Sequence, residues 1–191
     1  MTAKSELRRD LINARQAFVK SQILPWHCDR EWPVSLMTIV AKARCVGGYV
    51  AVRTEADVMP LLDIIASAGQ AIALPYLANR DATLEFRHFA KNDALMLAPF
   101  GFRQPEPSAP VEQPDVILTP LVGFDRAMNR LGQGAGHYDR LFARYPDALR
   151  IGVAWSVQEV RLIDVDPWDV TLDAVITEKE WIVGTNSRIE P

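Results

Sequence analysis

The sequence predicts a single α/β domain spanning residues 1–191, with a mostly parallel sheet and helices on both of its faces. Three observations carry this. The strongest apolar runs, AIALP (71–75) and DVILTPLVGF (115–124), are continuous rather than alternating, as in strands buried on both sides. These runs alternate along the chain with segments of helical period. A chain of 191 residues also suffices for one self-sufficient core, since domains of this order bury about 70% of their unfolded surface.

The elements follow in order. Leu7, Leu11, Ala14 and Phe18 recur at helical spacing and predict an amphipathic helix from Ser5 to Lys20, whose other surfaces carry Lys4, Arg8, Arg9 and Arg15. ILPWHCDREWPVS (23–35), with two prolines and two tryptophans, reads as an irregular connection. CVGGYVAV (45–52) reads as a buried strand. In TEADVMPLLDIIASAG (54–69), Val58, Leu61, Leu62 and Ile65 share one helical face. Pro60 is tolerable only in the first turn, which makes Asp57 the N-cap and Gly69 the terminator. Glu55 then falls just outside the helix at the end of the preceding strand, where open α/β sheets bind ligands. AIALP is a second strand, LEFRHF (84–89) an edge strand, and ALMLAPF (94–100) is ambiguous. GFRQPEPSAPVEQP (101–114) lacks periodicity and reads as a long loop. DVILTPLVGF is the third clear strand, and HYDRLFARYP (137–146) is a short helix with Tyr138, Leu141, Phe142 and Tyr145 inward. RIGVAW (150–155) and DAVIT (173–177) supply the last core strands.

Composition narrows the function. A net charge of −3 argues against a sequence-independent nucleic-acid binder, which needs a broad basic surface. Cys28 and Cys45 have neither knuckle nor disulfide spacing, and the adjacent His27–Cys28 pair cannot supply tetrahedral coordination. TAKSELRRDL is charged and helical rather than a leader, and no apolar run approaches the roughly 20 residues of a membrane span. A cytoplasmic monomer acting on small molecules, with no nucleic-acid or membrane partner, is expected.

The most informative stretch is RLGQGAGHYDR (130–140). Its glycines, Gly132, Gly134 and Gly136, have neither the spacing nor the placement of a dinucleotide fingerprint, and no Walker lysine is present. They nevertheless permit positive φ and close approach of backbone N–H groups to an anion. The helix that follows adds its positive end, Arg130 a cation and Asp139 a hard oxygen ligand for magnesium. A second carboxylate is available among Asp164, Asp166, Asp169 and Asp173, with Asp169 or Asp173 favoured. Taken alone, the alternating glycines favour a tight turn over a phosphate cradle, and it is their context that points to the cradle.

TPLVGFDRAMNRLGQGAGHYDR (119–140) closely resembles the signature of the 5-formyltetrahydrofolate cyclo-ligase family, Pro-Gly-x-x-Phe-Asp followed by Arg-Leu-Gly-x-Gly-x-Gly-Tyr-Tyr-Asp. KSELR (4–8) is similar to the family's basic N-terminal helix, Glu55 to its strand-end glutamate, Pro105–Pro107 to its Glu-Pro loop and WDVTLDAVITE (168–178) to its closing strand. Leu121, Gln133, Ala135, His137 and Trp168 depart from the usual residues. The resemblance implies an α/β enzyme, a Mg2+- and ATP-dependent ligase that converts 5-formyltetrahydrofolate to 5,10-methenyltetrahydrofolate with release of ADP and phosphate.

The resemblance also implies site roles. Lys4 and Arg8, otherwise a solvated basic face, sit near the ATP phosphates. Arg130, Leu131, Gly132, Gln133, Gly134, Ala135, Gly136, His137 and Tyr138 form the nucleotide loop. Asp139 and Asp169 hold magnesium, with Asp173 as substitute. Glu55, Arg130 and Asp139 form the catalytic set, and Val50, Glu55, Gln133 and His137 contact folate. Three other readings stay open: a divergent paralogue using Mg-ATP to activate another amide or carboxylate, a nucleotide- or folate-binding protein without turnover, and a sugar-phosphate isomerase or CoA-transferase-like enzyme on a similar fold.

Overall fold

A computed structural model describes residues 3–22, 31–79, 82–99 and 101–189. The chain runs α1 (Ala3–Ser21), α2 (Val34–Lys42), β1 (Cys45–Gly47), α3 (Met59–Ser67), β2 (Ala71–Tyr76), β3 (Glu85–His88), β4 (Met96–Leu97), β5 (Arg103–Gln104) and β6 (Val111–Glu112). It continues through β7 (Val116–Pro120), β8 (Gly123–Phe124), β9 (Arg130–Leu131), α4 (His137–Arg144), β10 (Leu149–Val153), a 3-10 turn at Ser156–Gln158, β11 (Ala174–Ile176) and β12 (Trp181–Val183).

Eight strands form the main sheet in the order β12-β11-β10-β7-β1-β2-β3-β6. The central five, β11 to β2, are parallel, while β12, β3 and β6 add antiparallel flanks. Side-chain alternation divides the core as the sequence predicts. Val46, Ile72, Leu74, Val116, Leu118, Ile151 and Val153 cluster with α2 and α3 through Leu36, Val40, Leu61, Leu62 and Ile65. Ala73, Ile117 and Val175, from the opposite face, cluster with Leu141 and Phe142 of α4 and with Tyr145 at its C-terminal cap. After β1 the chain crosses to β2 on one side, while β7, β10 and β11 build out on the other. The β1/β7 junction is therefore the switch point, where loops diverge and leave a crevice.

Several elements differ from expectation. The strand at Cys45–Val52 ends at Gly47: Gly48 donates to Ala73 O at 2.9 Å, and a Cβ on Gly48 would lie 2.4 Å from Leu62 Cδ1, so the chain passes tightly over α3 and leaves the sheet. Glu55 accordingly sits in the turn beyond the strand rather than at its end. Val58 occupies the N-cap of α3, with Asp57 Oδ1 accepting from Met59 N at 3.0 Å. LEFRHF is not the edge, because β6 covers it. The expected loop at 101–114 contains β5 and β6, which pair with β4 and β3; buried Gln104 also anchors β5 by bonding both the N–H and the carbonyl of Leu77. DVILTPLVGF breaks after Pro120 into β7 and β8. The irregular connection gives way to α2 at Val34; residues 23–30, including His27 and Cys28, lie outside the described residues. Among the described residues, no helix is long and apolar enough to cross a membrane.

Candidate active site

A cleft of about 840 Å3 opens at the switch point. Its floor comes from the chain leaving β1 (Tyr49, Val50, Val52, Arg53, Glu55) and β7 (Pro120, Leu121). One wall is α1, which presents Lys4, Arg8, Ile12 and Arg15. At 1.5 Å rise per residue these positions span about 16 Å, so the helix acts as a ruler along the cleft. Leu11, on the adjoining stripe, docks the helix against Val122, Leu131 and Ile163. Gly123 makes this possible, since a Cβ there would stand 2.6 Å from Leu11 Cδ1.

The opposite wall is the glycine loop. The β8–β9 ribbon pairs Gly123 with Leu131 and Phe124 with Arg130. Its turn is held by buried Asp125, which accepts from Ala127 N, Asn129 N and Ile163 N at 2.9–3.0 Å. From β9 the chain runs through Gly132, Gln133, Gly134 (φ +100), Ala135 and Gly136 (φ +64) directly into α4. The two left-handed positions turn the loop toward the helix N-terminus, a conformation that costs an L-residue about 1–2 kcal/mol. Arg8 Nε donates to Gly132 O at 2.8 Å and fixes the loop to α1.

Charge is concentrated where these walls meet. Arg130 Nη2 donates to Asp139 Oδ1 at 2.6 Å. The Arg130 side chain is only 4% exposed, and its guanidinium lies 5.7 Å and 5.3 Å from the Tyr138 and Phe142 ring centres. Its Nε is buried without a hydrogen-bond partner. Lys4 Nζ contacts Asp166 Oδ2 at 2.5 Å and Asp169 Oδ2 at 3.0 Å. Burial pushes the Asp169 carboxyl up, but the Asp166 N–H and Lys4 outweigh it and hold the group below its ordinary range, hence ionised. Arg130 also favours the Asp169 charge, which places Asp169 on the same electrostatic patch as Asp139. Asp173 is elsewhere. Buried just before β11, it accepts from Arg150 N and Arg188 Nη2 and does not line the cleft.

Glu55 marks the other end of the cleft. Its Oε2 accepts from Val52 N at 2.9 Å. Burial raises its carboxyl, while the Val52 N–H, the charge of Arg15 and the Gln133 amide resist that rise. Val50, His137 and Tyr138 line the same space. Burial and the charge of Arg140 lower the His137 imidazole, whose Nδ1 faces Arg140 Nη2 at 3.1 Å. Thus Lys4, Arg8, Val50, Glu55, Asp169 and the whole of Arg130–Asp139 converge on one cleft.

Some lining residues escape sequence reasoning. Arg15, expected on the surface, is 3% exposed and donates to Thr54 Oγ1 at 3.1 Å and to Leu121 O at 3.4 Å. Its position one helical turn beyond Leu11 was the available signal. Arg53 holds φ +57 at the floor, and Phe102, from the proline-rich segment, closes one side. Neither carries a pattern that could have revealed it.

Comparison with known proteins meets this geometry. The profile of the 5-formyltetrahydrofolate cyclo-ligase family matches residues 1–178. The chain belongs to this family. It is therefore an enzyme, a ligase forming a carbon–nitrogen bond. It is 32% identical over 196 aligned residues to 5-formyltetrahydrofolate cyclo-ligase of Mycolicibacterium smegmatis, covering 95% of this chain and 97% of that one. It is 31% identical over 150 residues to the Escherichia coli K12 enzyme of the same name, with coverages of 74% and 82%. The solved structure of Aquifex aeolicus 5,10-methenyltetrahydrofolate synthetase superposes with a TM-score of 0.73 at 24% identity, covering 100% of this chain and 97% of that one. A synthetase of the same name from Mycoplasma pneumoniae gives 0.65 at 21% identity, with coverages of 93% and 99%. Both structures share the α/β fold of this cyclo-ligase family member.

Proposed function

We propose that the protein catalyses the ATP- and Mg2+-dependent conversion of 5-formyltetrahydrofolate to 5,10-methenyltetrahydrofolate, ADP and phosphate. The observation that carries this reading is a cation-lined glycine loop and a half-buried glutamate, Glu55, lining one cleft at the switch point. A formamide oxygen is a poor leaving group. In the proposed reaction it attacks the γ-phosphorus and displaces ADP; N10 then attacks the activated carbon, loses its proton, and phosphate departs with the formyl oxygen. The protein's part is to position two ligands and neutralise charge.

The phosphates are assigned to the N–H groups of residues 132–137, the N-terminus of α4, and the cations Lys4, Arg8 and Arg130. The buried, unpartnered Nε of Arg130 supports this, since such a group calls for an acceptor. Glu55 is assigned to the pterin's donor nitrogens, with Val50, Gln133 and His137 beside it. Asp139 and Asp169 fit magnesium. They are hard carboxylates on one patch, each now facing a cation. Among the described residues no three His, Cys, Asp or Glu side chains form a ready metal cage, which suits an ion that keeps phosphate oxygens and waters. Bound there, magnesium would offset the charge that develops on the transferring phosphoryl group.

The test is to incubate the purified protein with ATP, MgCl2 and 5-formyltetrahydrofolate and to follow methenyl absorbance. Product that requires all three supports the assignment. Binding of ATP without product would favour a paralogue acting on a different amide or carboxylate.

A further inference from the structure

Trp168 stands at the mouth of the cleft with 70% of its surface exposed, among the largest apolar exposures in the described chain. Leaving an indole in water is unfavourable, and a loose loop would let it fold away. This loop is not loose. Asp169 N donates to Asp166 O at 2.9 Å, Asp166 N donates to Asp169 Oδ2 at 2.9 Å, and Lys4 Nζ binds both carboxylates. Pro167 fixes φ at the turn's second position. The indole is thus held out on a closed four-residue turn, its ordering already supplied by contacts that do not involve the ring.

Its place in the cleft identifies what it faces. Lys4 and Arg15 lie about 16 Å apart along α1. Arg15 reaches Thr54 and favours the Glu55 charge, so that end belongs to a ring with N–H donors. Trp168 is at the Lys4 end, next to Asp169 and the Arg130 patch, where the proposed function places the triphosphate. The planar group attached to a triphosphate is its base. We propose that Trp168 is the stacking platform for the nucleotide's purine, and that it makes this enzyme prefer purine over pyrimidine triphosphates. The inference rests on the ATP-dependent reading above.

Aromatic–base stacking predicts a loss of about 5- to 150-fold in nucleotide affinity when the ring is removed. The experiment compares the whole protein with Trp168→Ala and Trp168→Phe. It measures KM for ATP, for CTP and for 5-formyltetrahydrofolate, and separately titrates ADP by calorimetry without folate. Trp168→Ala should raise KM for ATP and Kd for ADP within that range, raise KM for CTP less, and leave kcat and the folate KM unchanged. Trp168→Phe should recover most of the loss. Wild-type affinity for ADP in Trp168→Ala, or an equal loss for ATP and CTP, would overturn the platform. Because calorimetry needs no turnover, normal ADP binding in a protein that forms no methenyl product would count against the cyclo-ligase reaction alone.

Discussion

Replacing Gly134 by alanine separates a phosphate cradle from a plain turn, because the molecule contains a matched control. Gly134 has φ +100 and Gly69, at the end of α3, has φ +101. A methyl group at Gly69 meets nothing within 4 Å, and one at Gly134 meets only the Arg8 guanidinium, 3.5 Å away, an ordinary contact. Both substitutions therefore carry the same backbone penalty, about 1–3 kcal/mol. In a domain of this size that lowers Tm by about 2–4 °C per kcal/mol. Only Gly134 borders the cleft. If N–H groups of its loop bind phosphate, a Cβ there obstructs at least one charge-assisted hydrogen bond, about 1.5–3 kcal/mol or roughly 10- to 150-fold in KM for ATP. Thermal denaturation should thus rank Gly69→Ala and Gly134→Ala together, while initial-rate kinetics sets them apart. Equal KM for ATP in the two variants would refute the cradle.

Three further outcomes follow from the same contacts. Glu55→Gln should weaken folate binding about 10- to 150-fold through loss of a charged acceptor, yet raise Tm at neutral pH. Burial lifts the folded carboxyl's pKa, so its contribution to stability is full below the unfolded value and falls as pH rises through the folded one; the amide escapes that penalty, and the Tm difference should vanish in acid. Asp169→Asn and Asp139→Asn should both raise the Mg2+ concentration needed for half-maximal rate, but only Asp139→Asn should also cost about 3–5 kcal/mol in urea unfolding, because it leaves the buried Arg130 guanidinium uncompensated. Gly123→Ala should cost about 1–3 kcal/mol, since its methyl overlaps Leu11 and forces α1 away from the ribbon.

What the sequence disclosed, and what it hid, divides by the range of the interactions. AIALP and the helix behind Pro60 were legible because continuous apolar runs and first-turn proline are local signals, and β2 and α3 form there. Helix α2 was not, because VSLMTIVAK mixes β-branched residues into nine positions and has no side-chain cap; its burial against the sheet decides it. Strands β6 and β12 are two and three residues long and exist only as partners of β3 and β11. At the site, the glycine spacing and the carboxylates Glu55, Asp139 and Asp169 pointed to chemistry, and these converge on one cleft. That Asp169 lines the cleft and Asp173 does not was invisible, because their placement turns on Lys4 and Arg188, 165 residues before the one and 15 after the other. The burial of Arg15 depends on Leu121, 106 residues away.

The pairing of Lys4 with Asp166 and Asp169 has a consequence for biosynthesis. Lys4, on the cleft's first wall, and its two carboxylate partners are more than 160 residues apart along the chain. Closing so long a loop is entropically costly and comes late on a folding route. A nascent chain or a fragment ending before Asp169 would carry the glycine loop without the clasp formed by Lys4, Asp166 and Asp169, so the N-terminal end of α1 should become fixed in the cleft only once residue 169 is free to fold.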